Sequence, residues 1–276
     1  MRSIKTIVIV LFLIIAIAFS VLYCYDKMMV DHVAPEIICD GARLDISVNS
    51  TDEELCRGLI AYDDVDGDIT DRIIVRRVSR LVGSNSAVAH YAVFDSASNF
   101  CTFTRNVYYT DYSQPKYILT QPMIFNVNSI VTLNDRLYAN DVIDGDITGR
   151  IRISAASIST TVEGEYPMTL QVTNSTGDTA ALTLTVQIRN YTSRHPVINL
   201  SEYLTYVDMG SEIDLEQFRS YIVSARESAD GKTIDPEDVT ITGQVDSSRI
   251  GSYDVNFSYI NEEGLGYNVC LTVVVQ

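Results

Sequence analysis

The sequence predicts an all-β protein, tandem β-sandwiches behind one N-terminal membrane-spanning helix, and three observations predict it. A ten-residue phrase occurs twice, AYDDVDGDIT at Ala61–Thr70 and ANDVIDGDIT at Ala139–Thr148. Past the N-terminal segment, apolar and polar residues alternate with a period of two in stretches rich in Tyr, Val, Ile and Thr, and no sustained helical period appears. Thr6–Tyr25 carries no charge at all, and its length is that of a bilayer-crossing helix, about 20 residues.

The N-terminal segment divides into a short cytoplasmic end, 1–5, a spanning segment, 6–25, and a stalk, 26–32. Arg2 and Lys5 before the apolar run, with Asp26 and Asp31 after it, place residues 1–5 inside and the rest of the chain outside. A cleaved signal peptide is the competing reading, because Ala16-Ile17-Ala18 has the small-x-small pattern of a cleavage site. The apolar run continues past it to Tyr25, which favours an uncleaved anchor; cleavage after Ala18 would instead give a secreted protein. Tyr23 is too bulky for the residue that precedes a lipid-modified cysteine, so Cys24 reads as part of the apolar helix.

Three segments open on a proline followed by apolar residues, at Pro35, Pro115 and Pro196, which sets the modules at 33–112, 113–192 and 193–276. About eighty residues suffice for a small sandwich to fold by itself, so the expected arrangement is beads on a string. The third module is divergent, keeping only Ala225 and the worn turn Asp230-Gly231-Lys232.

Side chains alternate across a strand, and the three modules agree on which face is apolar. Ala87, Ala89, Tyr91 and Val93 align with Tyr166, Met168, Leu170 and Val172 and with Tyr253, Val255, Phe257 and Tyr259. Closing strands follow with Leu182, Leu184, Val186 and Ile188, and with Val269, Leu271, Val273 and Val275 facing in. Pro167, Thr169, Gln171, Asp254, Asn256 and Ser258 face out. Many short strands with one buried face imply two packed sheets per module. Gly164-Glu165-Tyr166 and Gly251-Ser252-Tyr253 put a tyrosine at the start of a penultimate strand, either a tyrosine corner or an ordinary half-buried tyrosine.

The phrase A-x-D-x-x-D-G-D-I-T, the G-x-Y strand and the turns at Asp95–Asn99 and Asn174–Asp178 together resemble the bacterial surface immunoglobulin-like repeat family, found in pesticidal crystal proteins and bacterial adhesins. The resemblance covers 33–190 well and the remainder loosely, with Lys232 replacing the second Asp of DGD and Ser98 standing where a glycine is usual. It implies tandem immunoglobulin-like sandwiches and modules that serve as spacers, display platforms or binding surfaces.

Asp63, Asp66 and Asp68, and again Asp141, Asp144 and Asp146, crowd into six residues, and calcium is held by carboxylate oxygens converging from a loop. The EF-hand register fails, since its glycine would fall on Ile69 and its closing glutamate on Val75. A tight turn is the alternative: Gly supplies a left-handed backbone and an Asp side chain caps nearby N–H groups, with Ile69 and Ile147 entering the core. Of five cysteines, Cys39, Cys56 and Cys101 fall in the first module, and a bridge from Cys101 to Cys39 or to Cys56 is expected, the sequence not choosing between them. Cys270 reads as outward-facing.

The formal charge of −16 argues against a nucleic-acid partner, since such binding needs Lys and Arg on phosphates. His32, His90 and His195 lie in three different places, so no triad or zinc site assembles and no enzyme is expected. The functional expectation is a single-pass membrane protein, held in the bilayer by residues 6–25, with its modules outside a bacterial cell as a spacer or as a binding module for a surface protein or glycan. The alternatives are a calcium-binding adhesion module and a non-catalytic anchoring subunit of a surface complex.

Overall fold

The computed structural model describes residues 2–29, 31–41, 43–79, 85–229 and 231–276, with side chains described for 7–25 and from 31 onward. Asp230 of the worn turn lies outside the described residues. Two compact units form, 1–110 and 111–276.

The first unit begins with α1 (Arg2–Met29), which contains neither Pro nor Gly to interrupt it. Within it Ile7–Tyr25 has a mean hydropathy of 3.1, and none of this stretch is buried in the protein. The sandwich follows as β1 (Glu36–Cys39), β2 (Arg43–Ile46), α2 (Asp52–Leu55), β3 (Leu59–Asp63), β4 (Gly67–Asp68), β5 (Ile74–Val78), β6 (Ser86–Phe94) and β7 (Phe100–Tyr109). One sheet runs β1-β3-β4 and the other β2-β7-β6-β5. The opening strand therefore changes sheets: β1 lies antiparallel to β3, and β2 lies parallel to β7. The single-turn α2 escaped the sequence reading although its capping box was visible, Thr51 accepting the Glu54 N–H while Glu54 accepts the Thr51 N–H.

The second unit holds two more sandwiches with the same plan. The first comprises β8 (Lys116–Leu119), β9 (Ile124–Asn126), β10 (Leu137–Asp141), β11 (Gly145–Asp146), β12 (Arg152–Ala156), β13 (Gly164–Thr173) and β14 (Thr179–Arg189). The other comprises β15 (Val197–Leu200), β16 (Leu204–Val207), β17 (Ile222–Arg226), β18 (Thr240–Gly243), β19 (Gly251–Ile260) and β20 (Gly266–Val275). In each, the large sheet again sets an early strand parallel to the last one, β9 with β14 and β16 with β20.

Burial follows the alternation read from the sequence. Ala87, Ala89, Tyr91 and Val93 are buried, as are Met168, Leu170, Val172, Val255 and Phe257 and the inward residues of both closing strands. The two G-x-Y tyrosines are corners: the Tyr166 hydroxyl donates to the Val162 carbonyl and the Tyr253 hydroxyl to the Arg249 carbonyl, each at 3.0 Å, satisfying backbone just before the strand.

The second and third sandwiches are not separate beads, and their buried residues form one continuous apolar cluster. The Tyr206 hydroxyl accepts the Tyr117 N–H at 2.6 Å, and the Tyr203 N–H donates to the Leu119 carbonyl at 3.0 Å. The outward faces of β14 and β19 meet, Thr185 donating to Asp254 at 2.5 Å and the Thr183 N–H to Ser252 at 3.3 Å. Gln187 and Thr272, polar residues on that outward side, are consequently buried. Cys270 lies on the same outward side, partly buried. It faces outward from its own core, and burial first and Asp254 second hold its thiol well above the usual range.

Candidate functional site

The repeated phrase builds a turn at one pole of the first and second sandwiches. At the end of β3 the buried Asp63 carboxylate accepts the N–H groups of Val65 and Asp66 at 3.4 and 3.3 Å, and Gly67, at φ +74°, reverses the chain into β4. Asp68 accepts the Thr70 N–H at 3.0 Å and its hydroxyl at 2.6 Å. Thr70 in turn accepts the Ala61 N–H at 3.0 Å, which fixes the alanine of the phrase, and Ile69 enters the core at 1% exposure. Asp66 crosses to the 95–99 loop, accepting both the N–H and the hydroxyl of Ser96 at 2.7 Å, and pairs with Arg72 at 2.8 Å.

The second repeat reproduces this network. Asp141 accepts the Ile143 and Asp144 N–H groups at 2.9 Å. Asp144 accepts both donors of Ser175 at 2.6 Å and pairs with Arg150, and Asp146 accepts the Thr148 N–H at 2.9 Å. Asp66, Asp68, Asp144 and Asp146 thus act as turn and loop staples, each engaged with its own donors, and the structure does not bring them round a common point with Asp63 or Asp141.

Hydrogen bonds from Ser96 and then Arg72 hold the Asp66 carboxyl below its ordinary value of 3.8, and Ser175 and Arg150 do the same for Asp144. A folded-state pKa below the unfolded one adds stability that is complete above the unfolded value and is lost as pH falls through the folded value. Asp144→Asn is therefore expected to be less stable than the natural chain at pH 7, with the gap closing below about pH 4; urea midpoints across pH measure it.

The two poles differ where the incoming linker meets the sandwich. In the second repeat the amide of Asn174 donates to Asp141 Oδ2 at 3.1 Å and to the Tyr112 hydroxyl at 3.2 Å, while that hydroxyl donates to Asp178 at 2.6 Å. Burial and Asp178 push the Tyr112 phenol up, so it stays a donor. In the third repeat Asn261 takes the same place, donating to the carbonyls of Arg194 and Glu227 at 3.0 and 3.1 Å. Each amide ties the incoming linker to its sandwich.

In the first repeat that position is Asp95. Its carboxylate accepts the N–H and side-chain amide of Asn99, both at 2.7 Å. Asp63 Oδ2 is buried with no hydrogen-bond partner. Asp31 arrives from the stalk, its carbonyl held by Asn99 at 3.2 Å, and one carboxylate oxygen from each of Asp31, Asp63 and Asp95 lies within 4.8 Å of the others. Asp31 and Asp95 escaped the sequence reading; setting Asp95 beside Asn174 and Asn261 in the aligned loops would have found the second of them.

All five cysteines are free thiols in this structure. Cys39, Cys56 and Cys101, the three expected to supply one bridge, pack individually against the first core, with the Cys39 thiol donating to the Gly41 carbonyl at 2.7 Å. The histidines stand apart: His32 is exposed in the stalk, His90 lies on β6, and His195 accepts the Thr192 N–H at 3.0 Å in a linker.

The fold and its tyrosine corners define a protein of tandem immunoglobulin-like sandwiches. Residues 213–269 match the family model for the bacterial Ig-like domain, group 3. Over 220 residues the chain is 25% identical to the pesticidal crystal protein Cry22Aa of Bacillus thuringiensis, covering 79% of this chain and 29% of that protein. Both matches support a likeness to bacterial immunoglobulin-like repeats. The family model falls on the third repeat, where the turn phrase has worn, so the sandwich strands carry the likeness there.

Among solved structures, Drosophila N-cadherin EC1-3 is 13% identical, with 85% of this chain and 97% of that one covered at a TM-score of 0.32. The CBM51-2 and INT domains of Clostridium perfringens ZmpB, in complex with GlcNAc, are 17% identical, with 55% and 26% covered at a TM-score of 0.22. At these scores neither bears on what this chain binds.

Proposed function

We propose that the chain is a membrane-anchored immunoglobulin-like protein of a bacterial cell surface, acting as a spacer and binding module and not as a catalyst. The observation that carries the reading is the Ile7–Tyr25 helix, with a mean hydropathy of 3.1 and unpacked by protein, joined by a few residues to the first sandwich. A helix of that length and hydropathy supports a bilayer-crossing segment. The polar network at the poles works as structural stapling, and the three histidines share no site.

The test is protease shaving of intact cells expressing the full chain with a C-terminal epitope, in a host with a single membrane. The epitope should stay with membranes through an alkaline wash and disappear when protease is added outside. An epitope that survives on intact cells and is cut only after lysis places the sandwiches inside and overturns the reading.

A further inference from the structure

We propose that Asp31, Asp63 and Asp95 bind one calcium ion, which clasps the stalk to the first sandwich. The first observation is the unpartnered oxygen. Asp63 is 2% exposed, its Oδ1 accepts two turn N–H groups, and its Oδ2 accepts nothing. A buried carboxylate oxygen without a donor is costly, and an oxygen of this same carboxylate lies within 4.8 Å of one from each of two further carboxylates. Among the described residues no Arg or Lys forms an ion pair with any of the three.

The second observation is internal to the chain. The same turn occurs in the second repeat, where Asp141 Oδ2 is satisfied by the amide of Asn174, and in the third repeat Asn261 donates from the corresponding place. Two repeats hold their linkers with a donor; the first presents carboxylates from all three segments that meet there, the stalk, the β3 end and the β6–β7 loop. The partner that completes such a set is a cation.

Calcium fits the donor set. It takes oxygen ligands at about 2.3–2.6 Å in flexible geometry, whereas magnesium demands an octahedron at about 2.0–2.1 Å and keeps its waters. Oxygens across a calcium ion thus stand up to about 5 Å apart, and the three carboxylates lie within 4.8 Å of one another without rearrangement. Asp31 is partly exposed, which leaves that side open for water to fill the remaining coordination. Asp66 and Asp68 are absent from the set because Ser96, Arg72 and Thr70 already occupy them.

The experiment is calorimetric titration of CaCl2 into the chelator-treated full chain in detergent micelles, with MgCl2 for comparison and hydrogen exchange read at residues 31–35. One calcium per chain, slower exchange at 31–35 with calcium, and affinity reduced at least about tenfold in both Asp31→Asn and Asp95→Asn are expected, since affinity at such sites follows ligand charge. Asp95→Asn copies the residue the second repeat uses. If it fails to fold, Asp31→Asn, which lies outside the sandwich, decides alone. Absence of binding at about 10 mM calcium, well above the range of extracellular sites, overturns the proposal, as does binding that both variants retain unchanged. Neither outcome depends on where in the cell the protein resides.

Discussion

Phe257→Ala is expected to lower the unfolding free energy of the 111–276 unit by about 3–5 kcal/mol, the usual cost of emptying a fully buried aromatic site. Phe257 is 0% exposed at the centre of β19. Its cluster continues through Leu200, Tyr203 and Leu204 to Leu119, Phe125 and Leu184 of the preceding sandwich. The loss should therefore not stay in the third repeat. Native-state hydrogen exchange should show β13 and β14, although they belong to the second repeat, opening with β19 and β20 at the same reduced free energy. Protection in β13 and β14 that is unchanged while β19 and β20 are destabilised would show two independent sandwiches.

Asp141→Ala is expected to cost about 3 kcal/mol, because hydrogen bonds to a buried charged acceptor are each worth about 1.5–3 kcal/mol and their donors are left unmatched. Asp141, 3% exposed, accepts two turn N–H groups through Oδ1 and the Asn174 amide through Oδ2. Asp141→Asn separates the two contributions. It keeps an oxygen for the turn, turns an amide nitrogen toward that of Asn174, and should lose about half as much. Chemical denaturation of the full chain followed through the tyrosines measures both; an Asp141→Ala chain within about 0.5 kcal/mol of the natural one would show that the turn needs only its glycine.

How much of this was legible in the sequence depends on whether the determinant was local. The DGD turn was readable because its partners sit within ten residues: Asp63 caps Val65 and Asp66, Asp68 caps Thr70, and Thr70 reaches Ala61. Strand faces were readable because alternation reports which side meets the core. The convergence of Asp31 and Asp95 on Asp63 was not, since it depends on how the stalk and two loops meet in space. Asp66 and Asp68, the neighbours of Asp63 in sequence, are directed by the fold to other donors. The burial of Gln187 and Thr272 was hidden for a related reason. Alternation speaks of a sandwich's own interior and is silent about a second sandwich lying on its outside.

The sheet-switching opening strand has a mechanical consequence. In every repeat the strand near the chain's entry runs parallel to the strand by which the chain leaves: Arg43–Ile46 beside Asn106–Tyr109, Ile124–Asn126 beside Gln187–Arg189, and Leu204–Val207 beside Thr272–Val275. Tension drawn along the polypeptide pulls such a pair in opposite directions along its length, so the inter-strand hydrogen bonds are loaded together in shear and cannot be peeled off one at a time. A sandwich built this way resists extension along its own length.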